Sequence, residues 1–485
     1  MRAAGHLSAP VRVGLLTPYF AFFDDHFPPT YRAGQQRYAT ELASRLTRAG
    51  ATVTPSGLVH STETAAVARG LFQAAKVEVV VIAAVMASPP GYMTASLAGL
   101  DVPIIVWSDR RLDVLADDID ELEATRTSSF LGSLMSANVL RRGHIRFAVV
   151  NTRQGDDERI GRAIRAAAVG PRLRSMRLGT IGNPIPGYDD VVLGQTGADQ
   201  IGVTLVPVSV DRVIGTYGAL SDEDRTSSAA SLEAANATGE GSAEPGLQRS
   251  LDLHAALRRT ADELDLDALA INCHDAFRHD PTVGVVGCLG ASLLAFAGRP
   301  VSCTGDGATA IGLSIATIIA GHAQYCEGYV MAGRTGELLV SSCGLADLRQ
   351  RAAGQPTVVA RNELYPGKNG LGHLFRHGFP EGDATLIGFS PDPRAERARL
   401  TYAFGRLTGR TFAKLNGPSG SFVFDHPDAE EALRDWISAG PAHHLALASG
   451  RLDVEIEVMK ELLDMDIIAI GRSADTNAEV IGSTE

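Results

Sequence analysis

The feature that most constrains the fold is a regular alternation of apolar runs and amphipathic segments over the first 170 residues. Apolar runs such as "VRVGLLT", "VEVVVIAAV", "VPIIVW" and "IRFAVVN" are separated by helix-like segments such as "RAGQQRYATELASRLTRAG". Strands that are apolar throughout are typical of a parallel sheet covered by helices on both faces. Residues 1–170 are therefore predicted to form an N-terminal α/β domain.

A second α/β pattern occupies residues 171–323. The helix-like "GLQRSLDLHAALRRTADELDL" is followed by the strand "ALAINC", the strand "PVSC" and the helix "ATAIGLSIATIIAG". Residues 221–247 interrupt this pattern, because they are rich in Ser, Ala, Glu and Gly and lack apolar periodicity. Such composition predicts a flexible insert at the surface of a central α/β domain.

The pattern changes again after residue 323. Strand-like runs joined by turns follow one another, including "QYCEGYVM", "GELLVSSCG", "ATLIGFS" and "RLTYAFGRLTG". Consecutive short strands of this kind favour a mostly antiparallel barrel or sandwich. We therefore expect an α/β protein of three domains, with a β-barrel-like C-terminal domain over residues 324–485.

Length, charge and cysteine content limit the classes of function. A chain of 485 residues is too long for one core, and its net charge of −12 does not suit binding to nucleic acid or an anionic membrane. No apolar stretch reaches the roughly 18 residues that span a bilayer, and "MRAAGHLSAP" lacks the apolar core of a secretory signal. The five cysteines are odd in number and have no zinc-like CxxC spacing, which favours reduced thiols in a cytoplasmic protein.

The segment "VSCTGDGATA", residues 301–310, has the layout of a site at the carboxyl edge of a sheet. A strand ends at Cys303, a Gly-rich turn follows and a helix begins near Asp306. Ligands bind at such edges in α/β sheets. Thr304 is the expected helix cap, with Asp306 in the first helical turn, where a carboxylate is favourable.

Other candidate residues lie in "QYCEGYV", in "GPAHHLALASG" and in two polar loops. Glu327 lies within an apolar strand, where a buried carboxylate is costly and suited to acid–base work. His443 and His444 are expected at a loop-to-helix junction, with only one of them facing a cleft. His274 follows a strand end and Lys368 lies in a Gly-rich loop that could bind a phosphate or carboxylate, although an ordinary solvated loop is the favoured explanation of both positions.

Three segments of the sequence resemble the L-fucose/L-arabinose isomerase family in order and spacing. They are "GCLGASLLAFAGRPVSCTGD", "QYCEGYVM…GELLVSSCGLADL" and "ISAGPAHHLALASGRLDVEIEVMKELLDMDIIAI". The resemblance implies a three-domain fold, an active site between subunits and a homo-oligomer, either a trimer or a hexamer. It also implies conversion of an aldose to a ketose at a divalent cation, usually manganese, which polarises the carbonyl while a carboxylate moves a proton.

The resemblance assigns roles to individual positions. The first metal-binding glutamate of the family falls on Thr304 and the second on Glu327. One histidine of the family falls on Ser342 or Cys343, another falls on His444, and a further one expected near Phe130 is absent. A hydroxyl is a weak ligand for a hard cation, so the site should bind manganese weakly or not at all.

The resemblance therefore implies a sugar-processing enzyme that acts by intramolecular proton transfer, in an isomerase-like reaction without the usual metal site. Glu327 and His444 are the predicted catalytic residues, and they are also the metal ligands if a metal is retained. The small-molecule partner is a sugar or sugar derivative. The residues expected to bind it are His443, Thr304, Asp306, Ser342, Lys368 and His274. Two alternatives stay open: a non-catalytic sugar-binding or regulatory relative, and a manganese-dependent isomerase with a rebuilt metal site.

Overall fold

The computed structural model describes residues 6–153, 155–239, 245–364, 372–392, 394–395 and 397–470. The strands are β1 (Arg12–Pro18), β2 (Thr52–Val59), β3 (Val79–Ile82), β4 (Ile104–Arg110), β5 (Phe147–Arg153), β6 (Arg177–Ile181), β7 (Thr204–Val208), β8 (Ala237–Thr238), β9 (Ala268–Ile271), β10 (Val301–Ser302), β11 (Gln324–Met331), β12 (Glu337–Ser341), β13 (Thr357–Arg361), β14 (His373–Arg376), β15 (Gly382–Ser390), β16 (Ala398–Leu407), β17 (Ser419–Phe424), β18 (His444–Ser449) and β19 (Met465–Ile470). The helices are α1 (Thr30–Arg48), α2 (Thr62–Ala74), α3 (Pro90–Leu97), α4 (Glu121–Arg126), α5 (Ser129–Arg142), α6 (Asp157–Ala167), α7 (Val169–Ser175), α8 (Gly194–Ile201), α9 (Val210–Gly218), α10 (Asp222–Ala234), α11 (Pro245–Glu263), α12 (Cys273–Ala276), α13 (Cys288–Phe296), α14 (Gly307–Ala320), α15 (Ala429–Ala439) and α16 (Asp453–Leu462).

Two compact units are formed by these elements. The smaller unit consists of residues 9–172 and 453–463, and the larger unit contains residues 173–452 with the short segments 6–8 and 464–470. This division differs from the three predicted domains, because sheets from both the central and the C-terminal segments belong to the larger unit. The helix α16 was expected within the C-terminal domain but clusters with the smaller unit.

The smaller unit is built on a parallel sheet in the order β2-β1-β3-β4-β5. The residues of β3 are all buried, as the continuous apolar pattern of the sequence predicts for a doubly covered strand. A buried ion pair joins Arg45 and Asp109, and the hydroxyl of Tyr38 donates to the same carboxylate at 2.8 Å. The predicted parallel α/β arrangement of the first segment is confirmed.

The larger unit contains a second parallel sheet, in the order β10-β9-β6-β7. Residues 221–247, expected to form a flexible insert, contain the 13-residue helix α10. Ser221 caps this helix and forms a capping box with Asp224, a reciprocal pair of hydrogen bonds that specifies a helix start without any apolar periodicity.

A seven-stranded sheet completes the larger unit, in the order β15-β18-β11-β12-β17-β16-β19. Its pairs are antiparallel except for β16 with β19, and β15 also pairs with β16. The predicted mostly antiparallel sheet is confirmed. A small sheet in the order β14-β13-β8 lies in the same unit.

One helix positions the functional site. The residues of α14 from Gly307 to Ile319 are all buried, and the helix packs on β18 and β15. A side chain on Gly312 would contact Phe389 and Ala446, so the helix lies directly against these two strands. None of the helices in the described ranges combines the length and the apolar character needed to cross a bilayer.

Candidate functional site

The site begins at the turn between β10 and α14. The side chain of Asp306 caps α14 by accepting a hydrogen bond from the backbone N–H of Thr309 at 2.7 Å. Gly305 has a φ of +73°, and a Cβ at this position would lie 2.9 Å from Pro184, so only glycine fits the turn. Asp306 is the cap, and the expectation that Thr304 caps this helix is therefore wrong.

Thr304 adopts a strained backbone conformation in this turn. Its φ of +58° lies in the left-handed region, which is a genuine outlier for a β-branched residue. Its hydroxyl donates to the carbonyl of Cys303 at 2.7 Å, and its side chain is buried. Strain of this kind costs about 1–3 kcal/mol and concentrates at functional sites.

Asp306 also orients the imidazole of His444. The Oδ2 atom of Asp306 lies 2.7 Å from Nδ1 of His444, and both side chains are at least 98% buried. Because a carboxylate can only accept, Nδ1 is the donor and Nε2 is left for other contacts. The expectation that the two histidines lie before a helix is wrong, since His444 begins the strand β18.

Glu327 lies opposite His444 on the neighbouring antiparallel strand β11. The Oε1 atom of Glu327 is 3.9 Å from Nε2 of His444, and the glutamate side chain is 23% exposed. The three residues thus form a series in which a fully buried carboxylate holds an imidazole beside a carboxylate that solvent can reach. We call Asp306, His444 and Glu327 the acid–base series.

Tyr325 adds a buried hydroxyl to this site. It precedes Glu327 by two residues on β11 and therefore shares its face of the sheet, and its ring centroid lies 4.9 Å from that of His444. Within the part of the chain that the structure describes, the hydroxyl has no hydrogen-bond partner. Burial raises the pKa of Tyr325 well above its usual value, with the Cys303 thiol as the next cause, so this phenol stays a neutral donor.

His443 is hydrogen-bonded outside the acid–base series, although its ring centroid lies 3.8 Å from that of His444. Its Nδ1 atom lies 2.6 Å from Oδ2 of Asp190, and its backbone N–H donates to the same oxygen. Burial acts to raise the pKa of Asp190, but the hydrogen bonds from His443 outweigh it and lower the pKa. The ring of Tyr188 packs edge-on against His443, with 5.2 Å between the ring centroids. Asp190, His443 and Tyr188 thus form a half-exposed group at the surface.

Cysteine side chains fill the space behind the turn. The Sγ atoms of Cys303 and Cys343 are 3.8 Å apart. Hydrogen bonding with Cys273, then with Cys343, together with burial, raises the pKa of Cys303 well above its usual value. Cys326 lies on the opposite face of β11 in the apolar core with Leu338 and is not part of this cluster.

The remaining residues predicted for the site either lie away from the acid–base series or already form hydrogen bonds within the protein. The hydroxyl of Ser342 is buried and donates to the carbonyl of Leu345 at 2.6 Å. The backbone of His274 lies in the short helix α12, and Lys368 lies outside the described residues. Phe130, where the family has a histidine, is 66% exposed on α5 in the smaller unit.

The side chains of the site do not provide the ligands of a manganese centre such as that of the isomerase family that the sequence resembles. Across the described ranges, no group of three or more His, Cys, Asp or Glu side chains is arranged to hold a metal ion. Both oxygens of Asp306 already accept hydrogen bonds within the protein, and the hydroxyl of Thr304 donates to a backbone carbonyl. Glu327 and Nε2 of His444 are left, and one carboxylate with one imidazole binds a hard divalent ion weakly.

Sequence reasoning missed Tyr325 and the orienting contact of Asp306. The period of two along β11 could have indicated Tyr325, because it places residues 325 and 327 on one face. The contact between Asp306 and His444 spans 138 positions in the chain and has no local signal. No family model matches this sequence, and a comparison with curated proteins finds no match.

Proposed function

We propose that this chain is a sugar-processing enzyme, a divergent relative of the L-fucose/L-arabinose isomerases, that catalyses intramolecular proton transfer without a resident divalent cation. The observation that carries the proposal is the acid–base series. In it, Nδ1 of His444 donates to Oδ2 of Asp306 at 2.7 Å, and Nε2 of His444 lies 3.9 Å from Oε1 of Glu327, which is beyond hydrogen-bonding distance but leaves both groups beside the same small volume. Proton-transfer sites commonly contain two titratable groups in different surroundings. Here one of the two groups, the imidazole, is oriented by a buried carboxylate.

The proposed chemistry divides the proton movements between the two groups. The carboxylate of Glu327 removes a proton from the carbon next to the sugar carbonyl and returns it to the neighbouring carbon. Nε2 of His444 transfers the accompanying proton between the two oxygens, so that an enediol is formed and collapses with no net change in protons. Asp306 stabilises the imidazolium whenever His444 holds two protons, as a buried carboxylate does for an imidazole in hydrolase triads.

The surroundings of Glu327 favour catalysis over sugar binding alone. Its ion pair is with His444, and within the described ranges the structure pairs it with no arginine. The carboxylate of Glu327 is 23% exposed, so a substrate can reach it from the solvent side. The unpartnered hydroxyl of Tyr325 supplies a neutral donor near the same volume.

The resemblance would also place this site in a barrel-like third domain. We infer that the antiparallel sheet closes on itself, because β15, the first strand of the order, pairs with β18 and also with β16, which stands one strand from the other end. A closed sheet would hold Glu327 and His444 at fixed separation.

Deuterium incorporation tests the proposed function. Aldoses and ketoses of five and six carbons, both neutral and carrying a carboxylate or phosphate, are incubated with the protein in D₂O containing a chelator, and the carbon next to the carbonyl is analysed by NMR. We expect incorporation with the wild type, loss with Glu327→Gln, and full retention with the control Glu381→Gln, whose carboxylate is exposed and pairs with Arg406.

Two other outcomes would contradict the proposal. Sugar binding without any deuterium incorporation would favour the non-catalytic sugar-binding relative. Incorporation that appears only after manganese is added would favour an isomerase with a rebuilt metal site.

A further inference from the structure

A pocket with both polar and apolar lining lies in the larger unit, beside the strand pair that carries Glu327. Its volume is about 660 Å³, enough for a small sugar derivative. We call it the Arg376 pocket. Its lining includes the polar or charged side chains of Tyr329, Ser341, Glu363, Arg376, Lys414 and Asn416.

Strand register connects this pocket to Glu327. Ser341 on β12 is the direct antiparallel partner of Glu327 on β11, and directly paired residues project from the same face of a sheet. Tyr329 is the extra residue of a bulge between Gly328 and Val330, which directs a lining side chain toward the pocket. A ligand in the Arg376 pocket would therefore extend along the sheet toward Glu327.

Among the lining side chains, Arg376 has a buried polar atom that no described group of the protein satisfies. Its Nε atom is buried and has no hydrogen-bond partner within the described part of the chain. Its Nη1 atom makes one long contact, 3.4 Å from the carbonyl of Ala413. A buried guanidinium N–H without an acceptor is costly, and the planar guanidinium matches a carboxylate or a phosphate.

The charges around the pocket also favour an anion. Lys414 is exposed and contributes a second positive charge, whereas Glu363 is the single acidic side chain among the lining residues. The amide oxygen of Asn416 accepts from the backbone N–H of Glu363, and its amide nitrogen donates to Asn362. The net charge of the lining is thus positive in a chain whose total charge is −12.

We infer that the Arg376 pocket binds the anionic group of the substrate, so the enzyme acts on an acidic sugar rather than on a neutral aldose. A carboxylate and a phosphate share the oxygen chemistry that Arg376 and Lys414 recognise. The identity of the reacting carbons rests on the proposed function, but binding of the anionic group does not.

Binding of unreactive six-carbon probes tests this inference. Glucitol, gluconate and glucitol 6-phosphate have the same chain length and no aldehyde or ketone group, so calorimetry measures their binding without turnover. We expect gluconate or glucitol 6-phosphate to bind the wild type at least tenfold more tightly than glucitol, because the acid adds a charge-assisted hydrogen bond to the guanidinium. Whichever of the two acids binds more tightly then shows whether the pocket prefers a carboxylate or a phosphate.

Variants distinguish acid binding in the Arg376 pocket from a general effect of removing a positive charge. Arg376→Met should lose the preference for the acid probe, whereas Arg434→Met, on an exposed face of α15 beside Asp435, should keep it. Lys414→Met removes an exposed side chain without disturbing the core and should weaken acid binding in part. Equal binding of glucitol and both acids, or an unchanged preference in Arg376→Met and Lys414→Met, would overturn the inference.

The probe experiment is independent of catalysis. Glu327→Gln should keep its preference for the acid probe, since Glu327 does not line the pocket. Acid binding without deuterium incorporation in any sugar would therefore refute the proposed function and leave the pocket assignment intact.

Discussion

Removing the side chain of Asp306 should destabilise the larger unit by about 3 kcal/mol. Part of this loss, about 1 kcal/mol, comes from the missing cap of α14, because the N–H of Thr309 loses its acceptor. The remainder, about 2 kcal/mol, comes from the imidazole of His444, which is 2% exposed and would keep a buried N–H without a partner. Urea denaturation of Asp306→Ala, compared with the wild type, measures the sum.

Two further variants divide that sum. Asp428 caps α15 through the N–H groups of Glu430 and Glu431 and contacts no buried histidine through its carboxylate, so Asp428→Ala should cost about 1 kcal/mol. Asp306→Asn keeps a capping oxygen and should lie between the wild type and Asp306→Ala. Equal losses for Asp306→Ala and Asp428→Ala would refute the view that Asp306 holds the imidazole.

Three other properties follow from the structure. Burial, with Arg351 as the second cause, lowers the pKa of His377 from 6.5 to about 4, so its neutral form stabilises the fold fully above pH 6.5 and this contribution, about 3 kcal/mol, is lost as the pH falls toward 4. Urea midpoints of His377→Leu should consequently change less between pH 7 and pH 4.5 than those of the wild type, and parallel curves would contradict this. The buried, high-pKa thiols of Cys303 and Cys288 should resist iodoacetamide at pH 8 until urea is added, as mass spectrometry can show, and rapid labelling of the native protein would contradict it. Thr304→Gly should raise stability by about 1 kcal/mol by relieving the positive φ, and a loss in thermal denaturation would count against strain at this turn.

The strand and helix pattern could be predicted well because burial imposes it locally. Fully buried strands such as β3 read as continuous apolar runs, and the change to short strands after residue 323 marks the antiparallel sheet. The helix α10 could not be predicted from apolar periodicity because its mean composition is polar and its start depends on the capping box of Ser221. Assignment of α16 to the smaller unit depends on long-range contacts, including the ion pair of Arg162 with Glu455, which have no signature in the local sequence.

The candidate site could be predicted only in part, for a related reason. Glu327 is conspicuous as an acid within an apolar strand, and strand pairing brings it opposite His444. The role of Asp306 depends on a turn whose geometry requires Gly305 and on a partner far away in sequence. The Arg376 pocket combines side chains from separate strands and loops, so sequence spacing alone cannot reveal it.

Metal content tests the central claim most directly, because the account requires proton transfer by Glu327 and His444 without a resident divalent cation. The purified protein is dialysed with and without added manganese and analysed by elemental analysis, and each sample is then assayed for deuterium incorporation. If the proposal is correct, both samples contain far less than one metal ion per chain and incorporate deuterium to the same extent. One tightly held ion per chain, with incorporation that disappears when it is removed, would contradict it.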